Sequence, residues 1–436
     1  MARGINTQRP PGYTRGLLSS GFKRRDFRSV SKQTGATEVA PLLQSGDEAG
    51  TAPEDRAFRP DVQGLRAIAV MVVLLNHLSF PGMANGGVGV DIFFVISGFV
   101  ITGILLREEA RTRHTNIPAF YGRRARRILP MAVFVIAVVV IVDRIVDGAA
   151  LSRDVAIDGR YDALFQANGG YLRTWLQGTF HDAYTGPLPP QGLSGLAVYW
   201  SLAIEEKFYI VYPMLFLLIA AIPLRWVSVR IRLSVVLTVI IAASFVYAYG
   251  KPPPIGWYFS TPARAWELAA GCLLAVTTLW LRRIPAGVAT FMTWIGLGGL
   301  IFVILYQTPI PWPHGMPLLP VLATGLIIAG GTAVPRFGSE LVLSRRPLQL
   351  LALWSFSLYM VHKPIVVWAV QLTGQPLSLV EEILVGVIAI AVAAVCYALI
   401  ENPIRHSRLL VRSAPASIAM GVLLIASCVI LTIAVP

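Results

Sequence analysis

Charge is scarce in this chain. Only 14% of its 436 residues are Asp, Glu, Lys or Arg, whereas a soluble domain carries about 25%. Hydrophobic residues make up 55% and the mean hydropathy is +0.64. These values exclude a soluble globular protein and leave a polytopic membrane protein. Cysteine is scarcer still. Cys272, Cys396 and Cys428 all stand in apolar runs, at no metal-site spacing, and read as core filling. There is no P-loop, no Gly-x-Gly-x-x-Gly before a helix, no His-Glu-x-x-His, no Gly-x-Ser-x-Gly and no internal repeat. That removes the common signatures of NTPase, dinucleotide, zinc-peptidase and serine-elbow chemistry, and no metal or redox cofactor is implied. Acid is short relative to base, giving a net charge of +14. The excess sits in short loops between apolar runs, which argues against a nucleic-acid partner.

Against that background the stretch Asp61 to Phe80, DVQGLRAIAVMVVLLNHLSF, stands out. It is long enough to cross a bilayer as a helix, yet it carries Arg66 near one end and His77 near the other. Ionisable groups inside a span are costly and are functional candidates by default. Eleven residues at 100° each return to within about 20° of the same face, about 16 Å further along the axis. An arginine and a histidine on one stripe suggest a path through the membrane.

Apolar runs of about twenty residues recur near 62–80, 87–106, 128–146, 197–222, 231–249, 262–281, 287–306, 318–334, 350–372, 380–400 and 415–435. The fold expected is an all-α integral membrane bundle of about ten to eleven transmembrane helices. With the N-terminus in the cytoplasm and strict alternation, the inside segments hold 28 Lys and Arg and the outside loops five. The positive-inside rule therefore places the N-terminus inside and the C-terminus outside a plasma membrane. Residues 1–58 read as a disordered basic cytoplasmic tail, whose alternative role is binding anionic lipid. Residues 59–410 form the main membrane domain and 411–436 an additional helix. The large outer loop, about 147–196, is rich in aromatics and holds the turn GPLPPQG at 186–192. It is expected to cap an outer cavity.

Alternation also gives each polar residue a depth. His77, Asp91, Glu205 and His362 are expected to converge on that outer-half cavity. The basic run Arg123, Arg124, Arg126 and Arg127 falls on the cytoplasmic side.

Seven blocks in order resemble the membrane-bound acyltransferase 3 family, O-antigen acetylase type. They are RPDVQGLRAIAVMVVLLNH at 59–77, GGVGVDIFFVISGFVIT at 86–102, FYGRRARRILP at 120–130, YWSLAIEEKFYIVYP at 199–213, RAWELAAG at 264–271, SFSLYMVHKP at 355–364 and ENPIR at 401–405. The resemblance implies transfer of an acyl group, often acetyl, from cytoplasmic acyl-CoA to a hydroxyl of an envelope glycan or glycolipid, with no cofactor bound. The family's Arg-x10-His pair falls on Arg66 and His77. Its Arg-x-x-Arg element falls on Arg124 and Arg127. Its Trp-Ser-Leu-x-x-Glu-x-x-Phe-Tyr element falls on Trp200, Ser201, Leu202, Glu205, Phe208 and Tyr209. Many members continue into a hydrolase-like domain outside the membrane. The present sequence ends at Pro436 without one, so a separate extracytoplasmic transferase is an expected partner if the chain only passes the acyl group outward. Acylation of a small molecule such as a macrolide is a further alternative.

His77 suits a general base, because neutral imidazole titrates near physiological pH, or it carries the acyl group itself. The plain alternative is a hydrogen-bonded interhelical histidine. Glu205 would orient His77 as a triad acid does, with Asp91 competing for that role and an ion pair to Lys207 or Arg264 as the structural alternative. Arg66 would hold donor phosphate or pantetheine, or pair with a buried acid such as Glu267. Arg123, Arg124, Arg126 and Arg127 would grip donor phosphates, or serve only as a topology signal. Trp200, Tyr209 and His362 are expected to line the substrate path.

Overall fold

The computed structural model describes residues 58–436 apart from 84, 113–114, 147, 171–193, 225, 251–256, 307–316, 334, 336 and 436. The N-terminal tail through residue 57 and residues 171–193 of the long loop, with its GPLPPQG turn, lie outside the described residues. Among the described residues there is no strand.

A helix stands at each of the eleven apolar runs. They are α1 (Pro60–His77), α2 (Val88–Thr112), α3 (Ile117–Val146), α5 (Tyr199–Ala221), α6 (Val229–Tyr249), α7 (Thr261–Val276), α8 (Ala286–Leu305), α9 (Leu318–Thr332), α10 (Arg346–Thr373), α11 (Leu379–Cys396) and α12 (Ala414–Ala434). The remaining labelled helix, α4 (Gly148–Ala163), belongs to the long loop between α3 and α5, the one expected on the outer side. Among the described residues seven helices are long and apolar enough to cross a membrane: α2, α3, α6, α8, α10, α11 with its extension, and α12. The other four fall short for identifiable reasons. α1 carries Asp61, Arg66 and His77, α5 carries Glu205, Glu206 and Lys207, and α7 and α9 have 16 and 15 residues. Two of these polar helices, α1 and α5, carry Arg66, His77, Trp200, Glu205 and Tyr209.

Local chemistry starts and holds these helices. α1 opens with Pro at its first position, where the missing N–H is harmless. Arg59 clamps that start, donating to Asp61 at 2.8 and 2.6 Å and to Thr332 at 3.0 Å. α11 opens on a capping box between Ser378 and Glu381. α10 runs through Pro364 to Thr373 without ending, so the proline after His362 and Lys363 does not stop the helix.

Close packing sets the order of the helices. α2 and α7 lie against each other so tightly that a Cβ on Gly98 would meet the Leu268 carbonyl, and one on Gly271 the Val95 carbonyl. Asp91 meets Arg264, and further along both helices Thr102 bonds Cys272, so the two run parallel. α1 and α10 are parallel as well, with Arg66 at Ser355 and His77 at His362. α3 and α12 are parallel, with Gly122 at Ala414 and Gly421 at Leu129. α1 and α2 are antiparallel, as are α8 and α9. These relative directions are the ones that strict alternation of eleven runs requires.

Candidate functional site

The site lies between α1, α10, α5 and the loop edge of α7. α10 supplies one wall: Ser355, Tyr359 and His362 recur at i, i+4 and i+7 and so share a face. α1 faces it with Arg66 and His77. The two helices meet at both levels.

At the far end His77 Nδ1 lies 2.9 Å from His362 Nε2, and the rings stack with centroids 5.1 Å apart. His362 is fully buried, and its Nδ1 lies 3.0 Å from the Leu358 carbonyl. A carbonyl only accepts, so that Nδ1 carries a proton. In a neutral ring Nε2 of His362 is then an acceptor. Nδ1 of His77 must be the donor to it, and Nε2 of His77 is the nitrogen left with the lone pair. A proton-accepting atom is thus assigned by a chain of two hydrogen bonds. One turn back, the Tyr359 ring sits 5.8 Å from His362, and its hydroxyl bonds Ser201 at 2.6 Å. The described end of the outer loop reaches this level too: a Cβ on Gly195 would touch Pro364 at 3.1 Å.

At the other end Arg66 donates to Ser355 Oγ at 2.8 Å and to Gln63 at 3.3 Å. Arg127, Glu401, Arg405 and Glu205 act on it electrostatically. Glu267, a candidate partner for Arg66, instead receives Arg264 at 2.7 Å.

Glu205 accepts hydrogen bonds from Ser97 and from Tyr209, one turn along α5. Asp91 receives Arg264 at 3.0 Å. Neither acid is the group described against the His77 Nδ1; that position is taken by His362. Lys207, the other alternative partner of Glu205, donates to Asn168 at 3.0 Å. Arg264, Asp91 and Glu267 form a fully buried cluster. The guanidinium stacks near Tyr258 at 4.8 Å and Trp200 at 5.6 Å. Trp200 is a packed member of this cluster, with Tyr258 and Phe259 against its ring.

The arginine run divides by helical face. Arg123 pairs with Glu108 at 3.5 Å. Arg124 is buried with its guanidinium 4.4 Å from the Tyr209 ring centre. Arg126 turns toward α12 and donates to the Leu410 carbonyl and to Ser417, each at 2.9 Å. Arg127 faces the Arg66 end. Arg124, Arg127 and Arg66 therefore share a region with Glu205 and Tyr209, while Arg126 joins helices. Sequence reasoning singled out neither Ser355 nor Tyr359, although the i, i+4, i+7 spacing to His362 was a visible signal. Cys272, Cys396 and Cys428 are free and buried.

Known proteins resemble this chain over the same region. Residues 59–400 match the acyltransferase 3 domain, described as an acyltransferase domain. The chain is 29% identical over 374 residues to the peptidoglycan O-acetyltransferase OatA of Listeria monocytogenes, covering 82% of this chain and 57% of that protein. It is 32% identical over 366 residues to the putative peptidoglycan O-acetyltransferase YrhL of Bacillus subtilis, covering 80% and 55%. It is 30% identical over 363 residues to the O-acetyltransferase OatA of Staphylococcus aureus, covering 80% and 57%. The chain thus spans little more than half the length of these relatives. No solved structure matches it. The match runs from α1 through α11 and takes in His77, His362, Arg66, Arg124 and Arg127: the chain belongs to the acyltransferase 3 family.

Proposed function

We propose that this protein is a plasma-membrane O-acyltransferase. It moves a short acyl group, such as acetyl, from cytoplasmic acyl-CoA to a hydroxyl of an envelope glycan. The acceptor class is peptidoglycan-like, following the names of the relatives. The tail lies in the cytoplasm and Pro436 outside, in keeping with the charge asymmetry of the loops. The observation that carries the reading is the His77–His362 pair at 2.9 Å, on the same α1 face as Arg66.

In this reading the nucleotide end of the donor stays at the arginine end, and its acyl-bearing arm runs about 16 Å along α1 to His77. Nε2 of His77 takes the proton of the acceptor hydroxyl as its oxygen attacks the thioester carbonyl. The C–S bond breaks, and the sulfur leaves with the proton returned from Nε2. In a two-step route the same nitrogen would carry the acyl group before the acceptor takes it. His362 holds the His77 ring and tautomer in either route, as an orienting second group does elsewhere.

Purified full-length protein given radiolabelled acetyl-CoA and a peptidoglycan extract tests this directly. Labelled glycan formed without another protein supports it. Turnover only when an extracytoplasmic transferase is added makes the chain an acyl conduit for a separate enzyme. No turnover under either condition contradicts the acyl-CoA donor.

A further inference from the structure

Glu401 ends the π-helical turn Tyr397–Glu401 that follows α11, and it is 3% exposed. Such turns are frequent at functional sites. Its carboxylate accepts from Ser357 Oγ at 2.6 Å. The cations acting on it are Arg127, Arg405 and Arg66, and they come from three different elements. Packing brings them together. The π-turn lies against α3 and α10, and the short helix Asn402–Arg405 lies against α3. The Arg126 bond to Leu410 fixes that level. Arg66 is itself held by Ser355, two residues before Ser357 on α10.

The donor count exceeds what Glu401 can use. Three guanidiniums carry about fifteen N–H groups, while one carboxylate accepts about four hydrogen bonds. Glu205, the other acid acting on Arg66, is engaged by Ser97 and Tyr209. Glu401 is buried while Arg66, Arg127 and Arg405 are all half-buried. Glu401 thus sits on the buried side of three arginines that keep partial exposure. Planar forks in this arrangement suit a phosphate.

We propose that Arg405, with Arg66 and Arg127, forms an anion cradle organised by Glu401 that takes a phosphate group at the nucleotide end of the donor. The inference rests on the acyl-CoA reading above and adds Arg405 and Glu401 to the donor site. It gives Arg66 a dual role: it anchors the phosphate end on the α1 face that leads to His77.

The test is equilibrium binding of tritiated coenzyme A to the full chain in neutral phosphatidylcholine nanodiscs. Arg405→Ala should weaken binding roughly ten- to a hundredfold, the loss expected for a charge-assisted contact. Arg405→Lys, which keeps the charge but loses the fork, should recover part of it. Glu401→Gln should bind as well as wild type or tighter, because it removes a competing anion while keeping the Ser357 bond. Arg408→Ala, an exposed neighbour, should bind as wild type. Equal coenzyme A affinity in wild type, Arg405→Ala and Arg405→Lys would overturn the cradle and leave the donor reading standing. Wild type that binds no coenzyme A would overturn the donor reading itself. Binding of phosphatidylglycerol headgroups instead, lost in Arg405→Ala, would make the cluster a lipid site and overturn the proposal.

Discussion

His77 and His362 share one proton, and the geometry assigns it to His77. Nδ1 of His77 stands 2.9 Å from Nε2 of His362, whose own Nδ1 is committed to the Leu358 carbonyl 3.0 Å away. His362 thereby fixes which nitrogen of His77 accepts a proton. It is a positioning residue, and its removal should affect turnover more than donor binding. Outer partners of this kind are typically worth about 10–100-fold. His362→Ala should lower kcat by about that factor with the KM for acetyl-CoA within about twofold. His362→Gln, which keeps an acceptor oxygen, should retain more activity. Wild-type kcat in His362→Ala would remove His362 from the account.

Arg126 and its neighbours should separate in the same assay. Arg126 is 5% exposed and joins α3 to the α12 region through Leu410 and Ser417. Arg126→Ala should cost about 1.5–3 kcal/mol of stability, seen as a lower melting temperature with unchanged donor KM. Arg124→Ala with Arg127→Ala should raise donor KM instead. A raised KM in Arg126→Ala, without loss of stability, would place that side chain in the donor site.

Helix α4 makes a pH-dependent contribution to stability. Burial, with Asp154 nearby, pushes the Asp158 carboxyl up to about 6, against the opposing hydrogen bond with Ser194. Below about pH 4 the group is protonated folded or unfolded and contributes nothing. As pH rises from about 4 to about 6 the unfolded chain loses its proton first, so folding stability falls, by up to about 3 kcal/mol. Asp158→Asn should therefore melt higher than wild type at pH 7.5 and equally at pH 4. A lower melting temperature for the variant at pH 7.5 would contradict the burial cost assigned to Asp158.

Orientation is open to a direct check. A reporter active only outside the cytoplasm should be active when fused after Pro436 and silent when inserted at Ser228. The reverse pair of results would invert the molecule and place His77 on the donor side.

The sequence was most legible along the helix axes. Arg66 and His77 were placed on one stripe of α1 by arithmetic, and the structure sets both against α10. The eleven runs all became helices, because bilayer-length apolar segments leave few alternatives. Azimuth was harder to read. Glu205 was expected beside His77 from its depth alone, but the position of α5 turns it to Ser97 and Tyr209. The Asp91–Arg264 contact joins residues 173 apart in the chain, and only the close approach of α2 and α7 through Gly98 and Gly271 reveals it. The division of the arginine run was legible in principle. At 100° per residue Arg126 lies about 160° from Arg124 and about 100° from Arg127, so it cannot share their face.

The central claim is that Nε2 of His77 moves a proton or carries the acyl group, and the turnover of His77→Gln tests it most directly. Glutamine keeps the size and hydrogen bonding of the side chain but is not a base at neutral pH. The folded variant should bind coenzyme A nearly as wild type and lose about 10²–10⁴-fold in kcat, with His77→Ala no more active. A well-folded His77→Gln protein with near wild-type turnover would contradict the account and make His77 a packing residue.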